Sequence, residues 1–221
     1  MIKAYLRRLV PLFAGLAATA LGVVLSVQAN IGLEPWSILN NGIEVTTGMS
    51  FGAASVLVGV IVILISLLLG EPFGIGTLAN IFCCGPMIDL IMATGLIPKQ
   101  TNLWAGLFML VVGLEFIALG TWLYMTSGLG SGPRDSLMVA LAKRTHQPVG
   151  FCRSVTEVLV TVIGFLLGGQ LGIGTVVAAV GIGVLFQITF NLVHFHAVEQ
   201  PQETLKESWN NLRKSGEPCD G

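Results

Sequence analysis

Long apolar segments separated by short polar or glycine-rich turns make up most of the chain. A helix needs about 20 apolar residues to cross the hydrocarbon core of a bilayer, which is about 30 Å thick. Six segments fit this template, at residues 9–29, 51–69, 77–97, 103–125, 149–167 and 175–195. The pattern therefore predicts an all-α fold, a polytopic transmembrane helical bundle with six spans.

The first apolar segment also resembles a signal peptide, because it follows the basic residues Lys3, Arg7 and Arg8. It is as long as a full membrane span, however, and it lacks a clear small-residue cleavage site. We therefore expect this segment to be retained as the first span.

An internal duplication relates the two halves of the chain. Residues 12–91 align with residues 110–189 at a constant offset of 98 without a gap, and 23 of the 80 pairs are identical. Eight identical pairs are glycines, and Pro35 matches Pro133. The block Gly-Ile-Gly-Thr also occurs twice, at 74–77 and at 172–175. Chance similarity between apolar segments would pair leucines and valines instead, so we interpret the match as a duplicated structural unit.

Each copy contains three predicted spans, one set within residues 1–98 and the other within 99–196. An odd number of spans obliges the second copy to enter the membrane from the opposite side. The sequence thus predicts two inverted three-helix repeats, related by a pseudo-two-fold axis in the membrane plane. Residues 197–221 differ sharply in composition and are expected to form a polar cytoplasmic tail.

The positive charges are distributed as this topology requires, since Lys and Arg collect on the cytoplasmic side of a membrane protein. With a cytoplasmic N-terminus, ten of the eleven basic residues fall on or near that side, and only Lys99 falls outside. Residues 30–50 contain no Lys or Arg, whereas the equivalent residues 128–148 contain three. We therefore expect both the N-terminus and the C-terminus in the cytoplasm.

A matched polar segment follows the first span of each copy. Glycines precede Pro35 and Pro133, and proline suits the first turn of a helix. A short helix of about ten residues should follow each proline, ending near Thr47 and Thr145. Such a helix either lies flat in the membrane interface or dips back as a re-entrant half-helix, and length alone does not decide.

Composition narrows the class of protein. The 221 residues are 53% hydrophobic and 10% charged, with a mean hydropathy of +0.82, which excludes an ordinary soluble domain. A net charge of −1 without a basic face gives no indication of nucleic-acid binding. The four cysteines show neither a disulfide framework nor metal-ligand spacing, and no catalytic or nucleotide motif occurs. We therefore expect no metal, no cofactor and no enzymatic activity.

Charged side chains at membrane depth are costly, so they are the strongest functional candidates. Glu115 and Glu157 lie near the centres of the fourth and fifth spans, and Arg153 precedes Glu157 by one turn. Arg153 and Glu157 share a helical face, so they either form an internal ion pair or line a solute path. Glu115 has no local partner; it must be protonated, meet a polar group of another helix or face a wet cavity.

Asp89 of the third span aligns with Gln187 of the sixth, so both copies have a polar side chain at this position. Near a two-fold axis the two residues would line one central cavity. The alternative is that each forms a hydrogen bond between helices.

The two short segments supply secondary candidates: Trp36 and Asn40 in the first copy, Arg134 and Asp135 in the second. If the half-helices are re-entrant, their positive N-terminal ends would favour an anionic group on a solute. If they lie flat, Trp36 is an interfacial anchor and Arg134 is a topology signal.

Several of these motifs are those of a known family. The run Gly-Ser-Gly-Pro-Arg-Asp at 130–135 and the two Gly-Ile-Gly-Thr blocks are the most specific. With them, roughly residues 10–195 resemble the YczE-like group of the YczE/YyaS/YitT bacterial integral membrane proteins. The run Glu-Pro-Trp-Ser at 34–37 looks like the family's Gly-Pro-Trp-Asp element, with two departures, and Asp89 matches a family acidic position. The resemblance implies a bacterial inner-membrane protein and supplies no substrate or catalytic residue.

These features predict a multi-pass protein of the bacterial inner membrane. The leading hypothesis is a small-solute transporter, or the membrane-embedded substrate-binding component of one, with a site between the repeats. Glu115, Glu157, Asp89 and Gln187 would line that site, and one carboxylate would exchange a proton. The alternative is a non-transporting membrane factor that assists assembly, secretion or regulation of another system. Expected partners are the lipid bilayer, a small solute, and another protein or a second copy of the chain.

Overall fold

The computed structural model describes residues 2–147, 149–195 and 202–207, with the side chains of residues 2–6, 139 and 149–150 left out. These ranges include only six residues of the predicted tail, 202–207; the others lie outside the described residues. Within them the chain forms eight helices: α1 (Ile2–Gln28), α2 (Pro35–Thr47), α3 (Phe51–Leu68), α4 (Ile75–Ala93), α5 (Leu103–Thr126), α6 (Pro133–Thr145), α7 (Val149–Leu166) and α8 (Ile173–Leu192).

Most of the described helices suit a membrane. Five are long and apolar enough to cross a bilayer: Arg7–Gln28 of α1, together with α3, α4, α5 and α8. Helix α7, in the position of the fifth predicted span, has 18 residues and is not among these five. The prediction of an all-helical fold is therefore confirmed for the described residues, whereas the number of six spans stays a prediction.

The short helices of the two copies begin and end at equivalent positions. Helices α2 and α6 both have 13 residues, longer than the expected ten or so, and they begin at the matched prolines. Both end where the backbone turns left-handed, at Gly48 with φ 74° and at His146 with φ 56°. A left-handed residue closes a helix, and glycine adopts this conformation without strain.

Helices α1 and α5 cross closely and run antiparallel. A Cβ atom at Gly15 would lie 2.6 Å from the carbonyl oxygen of Gly120, and one at Gly22 would lie 2.5 Å from that of Gly113. The two contacts are equivalent, because Gly113 is the repeat counterpart of Gly15 and Gly120 is that of Gly22. Small residues of this kind let helix backbones approach each other in a membrane.

The loops that follow α1 and α5 are held in the same reciprocal way. The backbone N–H of Gly174, at the start of α8, donates to the carbonyl of Ile31 at 2.7 Å. Its counterpart is the N–H of Gly76, at the start of α4, which donates to Leu129, also at 2.7 Å. Each half therefore holds the loop that leads into the short helix of the other half.

The short helices pack across the halves as well: α2 lies against α7, and α6 lies against α3. Helices α2 and α3 occupy the same places in the first copy as α6 and α7 in the second. Packing between the two copies thus contributes to the described core, together with packing within each copy, such as that of α1 and α3 against α4.

The described part of the C-terminal tail packs against the bundle. Glu203 forms an ion pair with Arg8 of α1 at 2.6 Å, and its backbone N–H donates to Gly128 at 2.9 Å. The N–H of Leu205 donates to the carbonyl of Phe73 at 2.8 Å. Residues 202–207 thus fasten the loops before α4 and α6 at one end of the molecule.

The α1–α5 crossing gives a direct test of this packing. Gly22→Ala would put a methyl group against the backbone of α5, 2.5 Å from the carbonyl oxygen of Gly113 and 2.8 Å from the nitrogen of Ile117, and these backbone atoms cannot move aside as a flexible side chain can. Overpacking of this kind costs about 1–3 kcal/mol, so we expect a lower midpoint of thermal unfolding in detergent.

Gly183→Ala on α8 is the matched control, because a Cβ atom there meets nothing within 4 Å. Alanine is the better helix former, so this variant should be unchanged or slightly more stable. Equal midpoints for the two variants would contradict the close crossing of α1 and α5.

Candidate functional site

A cavity of about 120 Å³ lies between the two halves of the described chain. All eight helices contribute to its wall. The wall is built largely from repeat counterparts, since nine pairs contribute both members: Thr19/Ile117, Val23/Thr121, Pro35/Pro133, Trp36/Arg134, Asn40/Met138, Ser55/Arg153, Gly59/Glu157, Cys84/Ile182 and Ile88/Phe186. The cavity therefore lies where the two copies face each other.

The first turns of α2 and α6 meet in this cavity. Arg134 of α6 lies 3.4 Å, Nη1 to Oε1, from Glu34, and its guanidinium carbon lies 4.9 Å from the ring centroid of Trp36. Glu34 and Trp36 are 2% and 4% exposed. Arg134 can thus pair with a buried carboxylate and lie over an aromatic face at once, which a lysine would do poorly.

This meeting involves the start of both short helices, for which the sequence leaves two arrangements open. Because α1 and α5 are antiparallel, their C-terminal ends lie at opposite ends of the bundle. The residues that follow those ends nevertheless touch, so both loops fold back into the interior before α2 and α6 begin. Trp36 is 4% exposed, whereas an interfacial anchor would be exposed. The re-entrant arrangement, which this geometry favours, stays a prediction.

Arg153 and Glu157 of α7 form an ion pair, with 2.9 Å between Nε and Oε1, and both line the cavity. The guanidinium group of Arg153 also lies 5.9 Å from the ring of Phe186 on α8. Their repeat counterparts on α3 are Ser55 and Gly59, which line the cavity too. At these positions of the cavity wall, the first copy thus has small residues and the second copy has charged ones.

Asp135 lies beside Arg134 in the first turn of α6 and accepts a hydrogen bond from the Tyr124 hydroxyl at 3.2 Å. Burial raises the pKa of the Asp135 carboxyl above its ordinary value, and the positive charges of Arg153 and Arg134 oppose that rise. Proton uptake at this carboxyl is therefore easier than at an exposed aspartate.

Two polar atoms on the cavity wall have no hydrogen-bond partner among the described residues: Oδ1 of Asn40 and Oγ1 of Thr19. Asn40 is 2% exposed, so bulk water does not satisfy it. A buried amide oxygen without a partner is costly, and such an atom in a cavity wall is suited to a bound solute or an ordered water.

Glu115 lies away from the cavity. It is half-buried where α5 packs against α8, and it accepts a hydrogen bond from the Thr189 hydroxyl at 2.7 Å. Of the three situations expected for Glu115, the structure has the contact with a polar group of another helix.

Asp89 and Gln187 also lie outside the cavity and do not face each other. Asp89 accepts hydrogen bonds from the hydroxyl of Ser50 and, at 2.8 Å, from the N–H of Gly52, so it caps the start of α3. Gln187 is exposed and donates to Asn191 at 3.1 Å.

The structure therefore brings together Arg153, Glu157 and the four secondary candidates, Arg134, Asp135, Trp36 and Asn40. The sequence patterns do not single out Tyr124 or Thr19 as wall residues. The repeat alignment contains a signal for Thr19, since it would put Thr19 on the α1 face that crosses α5.

Three relatives have similar sequences. An uncharacterized protein of Haemophilus influenzae is 36% identical over 182 residues, which cover 82% of each chain. In Bacillus subtilis, an uncharacterized membrane protein named YczE is 27% identical over 80% of this chain and 82% of its own. The uncharacterized protein YyaS of the same organism is 28% identical over 82% of this chain and 92% of its own.

No solved structure matches this chain. Residues 6–191 match the family of unknown function DUF6198. This match covers most of the chain, and together with the likeness to YczE and YyaS it agrees with the motifs in the sequence and with the apolar helices. The protein is a helical membrane protein and belongs to the DUF6198 family.

Proposed function

We propose that this protein transports a small polar solute across the bacterial inner membrane, or is the membrane-embedded substrate-binding component of such a system. The observation that carries the proposal is the central cavity, where charged side chains of α6 and α7 converge inside an otherwise apolar bundle. Charges at membrane depth are costly and typically mark solute or ion pathways.

A sixth span is part of this proposal. Helix α7 carries a face of exposed apolar side chains, including Phe151, Val158 and Leu166, each more than half exposed. In water such a face would be unfavourable, whereas lipid accommodates it. With α7 counted, each copy has three spans and the copies have inverted topology, with both termini in the cytoplasm.

The reciprocal contacts suggest how such a protein would alternate its access. One backbone hydrogen bond ties Ile31 to α8 at one end, and its counterpart ties Leu129 to α4 at the other. In inverted-repeat transporters, one repeat rocks against the other around a fixed central site. We propose that one of these two hydrogen bonds breaks when the protein opens at that end, while the other hydrogen bond remains.

Asp135 is the carboxylate best suited to exchange a proton in this cycle. It faces Tyr124, Arg134 and Arg153, and its raised pKa favours the neutral form more than at an exposed aspartate. Glu115 and Asp89, which the sequence also offers for this role, are engaged outside the cavity.

Inversion of the two copies predicts opposite labelling of equivalent residues. Met49 follows α2, its counterpart Gln147 follows α6, and both are exposed. In a chain whose four native cysteines are replaced, we expect a membrane-impermeant maleimide to label Met49→Cys from the periplasmic side and Gln147→Cys from the cytoplasmic side. Labelling of both from the same side would refute inverted topology.

Transport should depend on Glu157 and not on Glu115. Glu157→Gln removes a charge from the cavity wall and leaves Arg153 without its partner, so we expect the rate of solute uptake into proteoliposomes to fall by about tenfold or more, equivalent to about 1.4 kcal/mol. Glu115→Gln is the matched control, because this glutamate lies in an apolar helix outside the cavity.

The measurement uses a broad panel of radiolabelled solutes, and the unfolding midpoint of each variant shows whether the fold is intact. If no solute crosses, and neither variant changes binding, the transport proposal fails. A partner protein copurified with the full chain in that case would favour the alternative, a membrane factor that assists another system.

A further inference from the structure

The cavity contains hydrogen-bond donors that the described residues leave unused. Arg153 bonds to Glu157 through Nε, and Arg134 bonds to Glu34 through Nη1 at the long distance of 3.4 Å. No described residue accepts a hydrogen bond from their other guanidinium nitrogens. Two parallel N–H groups of a guanidinium fit the two oxygens of a carboxylate, so this side of the cavity is suited to a planar oxyanion.

The same cavity contains unused acceptors. Asn40 Oδ1 has no donor among the described residues, although this side chain is 2% exposed. The Oε2 atom of Glu157 accepts no hydrogen bond from a described residue either, because Arg153 reaches only Oε1. These acceptors lie on α2 and α7, which pack against each other, and they are suited to an ammonium or another N–H group.

The charged groups on the cavity wall favour a ligand that carries both signs of charge. Two guanidinium groups and three carboxylates line the cavity: Arg134, Arg153, Glu34, Asp135 and Glu157. Groups of both signs therefore face the same cavity. A ligand with one anionic and one cationic group can pair with both sets, whereas a ligand with a single charged group can pair with only one of them.

The volume of the cavity limits the size of the ligand. The cavity measures about 120 Å³, and a cavity of about 150 Å³ in another protein holds benzene. Apolar side chains such as Val62, Ile81 and Ile182 form part of the wall and would accept a short aliphatic group.

We infer that the cavity binds a small zwitterion of amino-acid size. Its carboxylate lies against the guanidinium groups of Arg134 and Arg153, and its cationic nitrogen faces Asn40 and Glu157. This inference names the substrate class for the site described above and rests on the proposed function.

Ligands that carry both charged groups or only one of them test the inference on the unmodified protein. Alanine has both charged groups, propionate has only the carboxylate and ethylamine has only the ammonium. By isothermal titration of the full chain in detergent, we expect alanine to bind, with glycine and serine as close analogues. Propionate and ethylamine should bind at least about tenfold more weakly than alanine, because each leaves one half of the site unpaired.

Variants of the two arginines add a residue-level test. Arg134→Gln and Arg153→Gln should each weaken zwitterion binding by about tenfold or more. Arg144→Gln is the matched control, because Arg144 is exposed at the end of α6 and should leave binding unchanged. A variant that fails to fold leaves the ligand comparison on the unmodified protein as the deciding result.

Each contrary outcome overturns the inference. If propionate or ethylamine binds within about threefold of alanine, the site selects a single charge; if none of the three amino acids binds, zwitterions are not the ligand. The proposed function survives both results when a solute of other chemistry crosses proteoliposomes. When no solute crosses, the inference and the proposed function fail together.

Discussion

Backbone contact between α1 and α5 determines the rest of the architecture. The two helices approach so closely that a Cβ atom at either crossing glycine of α1 would overlap the backbone of α5. Because the helices are antiparallel, the loops that follow them start at opposite ends of the bundle. Both loops then turn inward, so the short helices begin at the centre. A cavity forms where the first turns of these helices meet, and the polar groups in its wall come in part from those turns.

Residues that are the same in both copies shape the fold, whereas residues that differ between the copies supply the charged groups of the cavity. Paired residues such as Pro35 and Pro133 occupy equivalent places and start equivalent helices. At other cavity positions one copy has a small residue and the other a charged one, as with Gly59 and Glu157. Contacts between copies thus supply a symmetric enclosure, while most of the charged groups on the cavity wall come from the second copy.

Hydropathy and matched prolines predicted where the helices lie, because helix length in lipid and proline geometry are local properties. The direction of the short helices could not be predicted, since a helix of 13 residues fits both a flat and a re-entrant position. Asp89 was equally undecidable: its hydrogen bonds go to the start of α3, a contact that only tertiary packing creates. Arg153 and Glu157 were predictable because their pairing is local to one helix.

The first turns of α2 and α6 meet inside the bundle, and chemical cross-linking within one chain can measure how close Glu34 and Arg134 are. Cysteines replace Glu34 and Arg134 in a chain without native cysteines, with a protease site in the α4–α5 loop, and native membranes are treated with a short bismaleimide. We expect the two halves to stay joined after proteolysis, whereas cysteines at 49 and 147 should leave them separate. Separation of the halves with cysteines at 34 and 134, under conditions in which both thiols react, would contradict it.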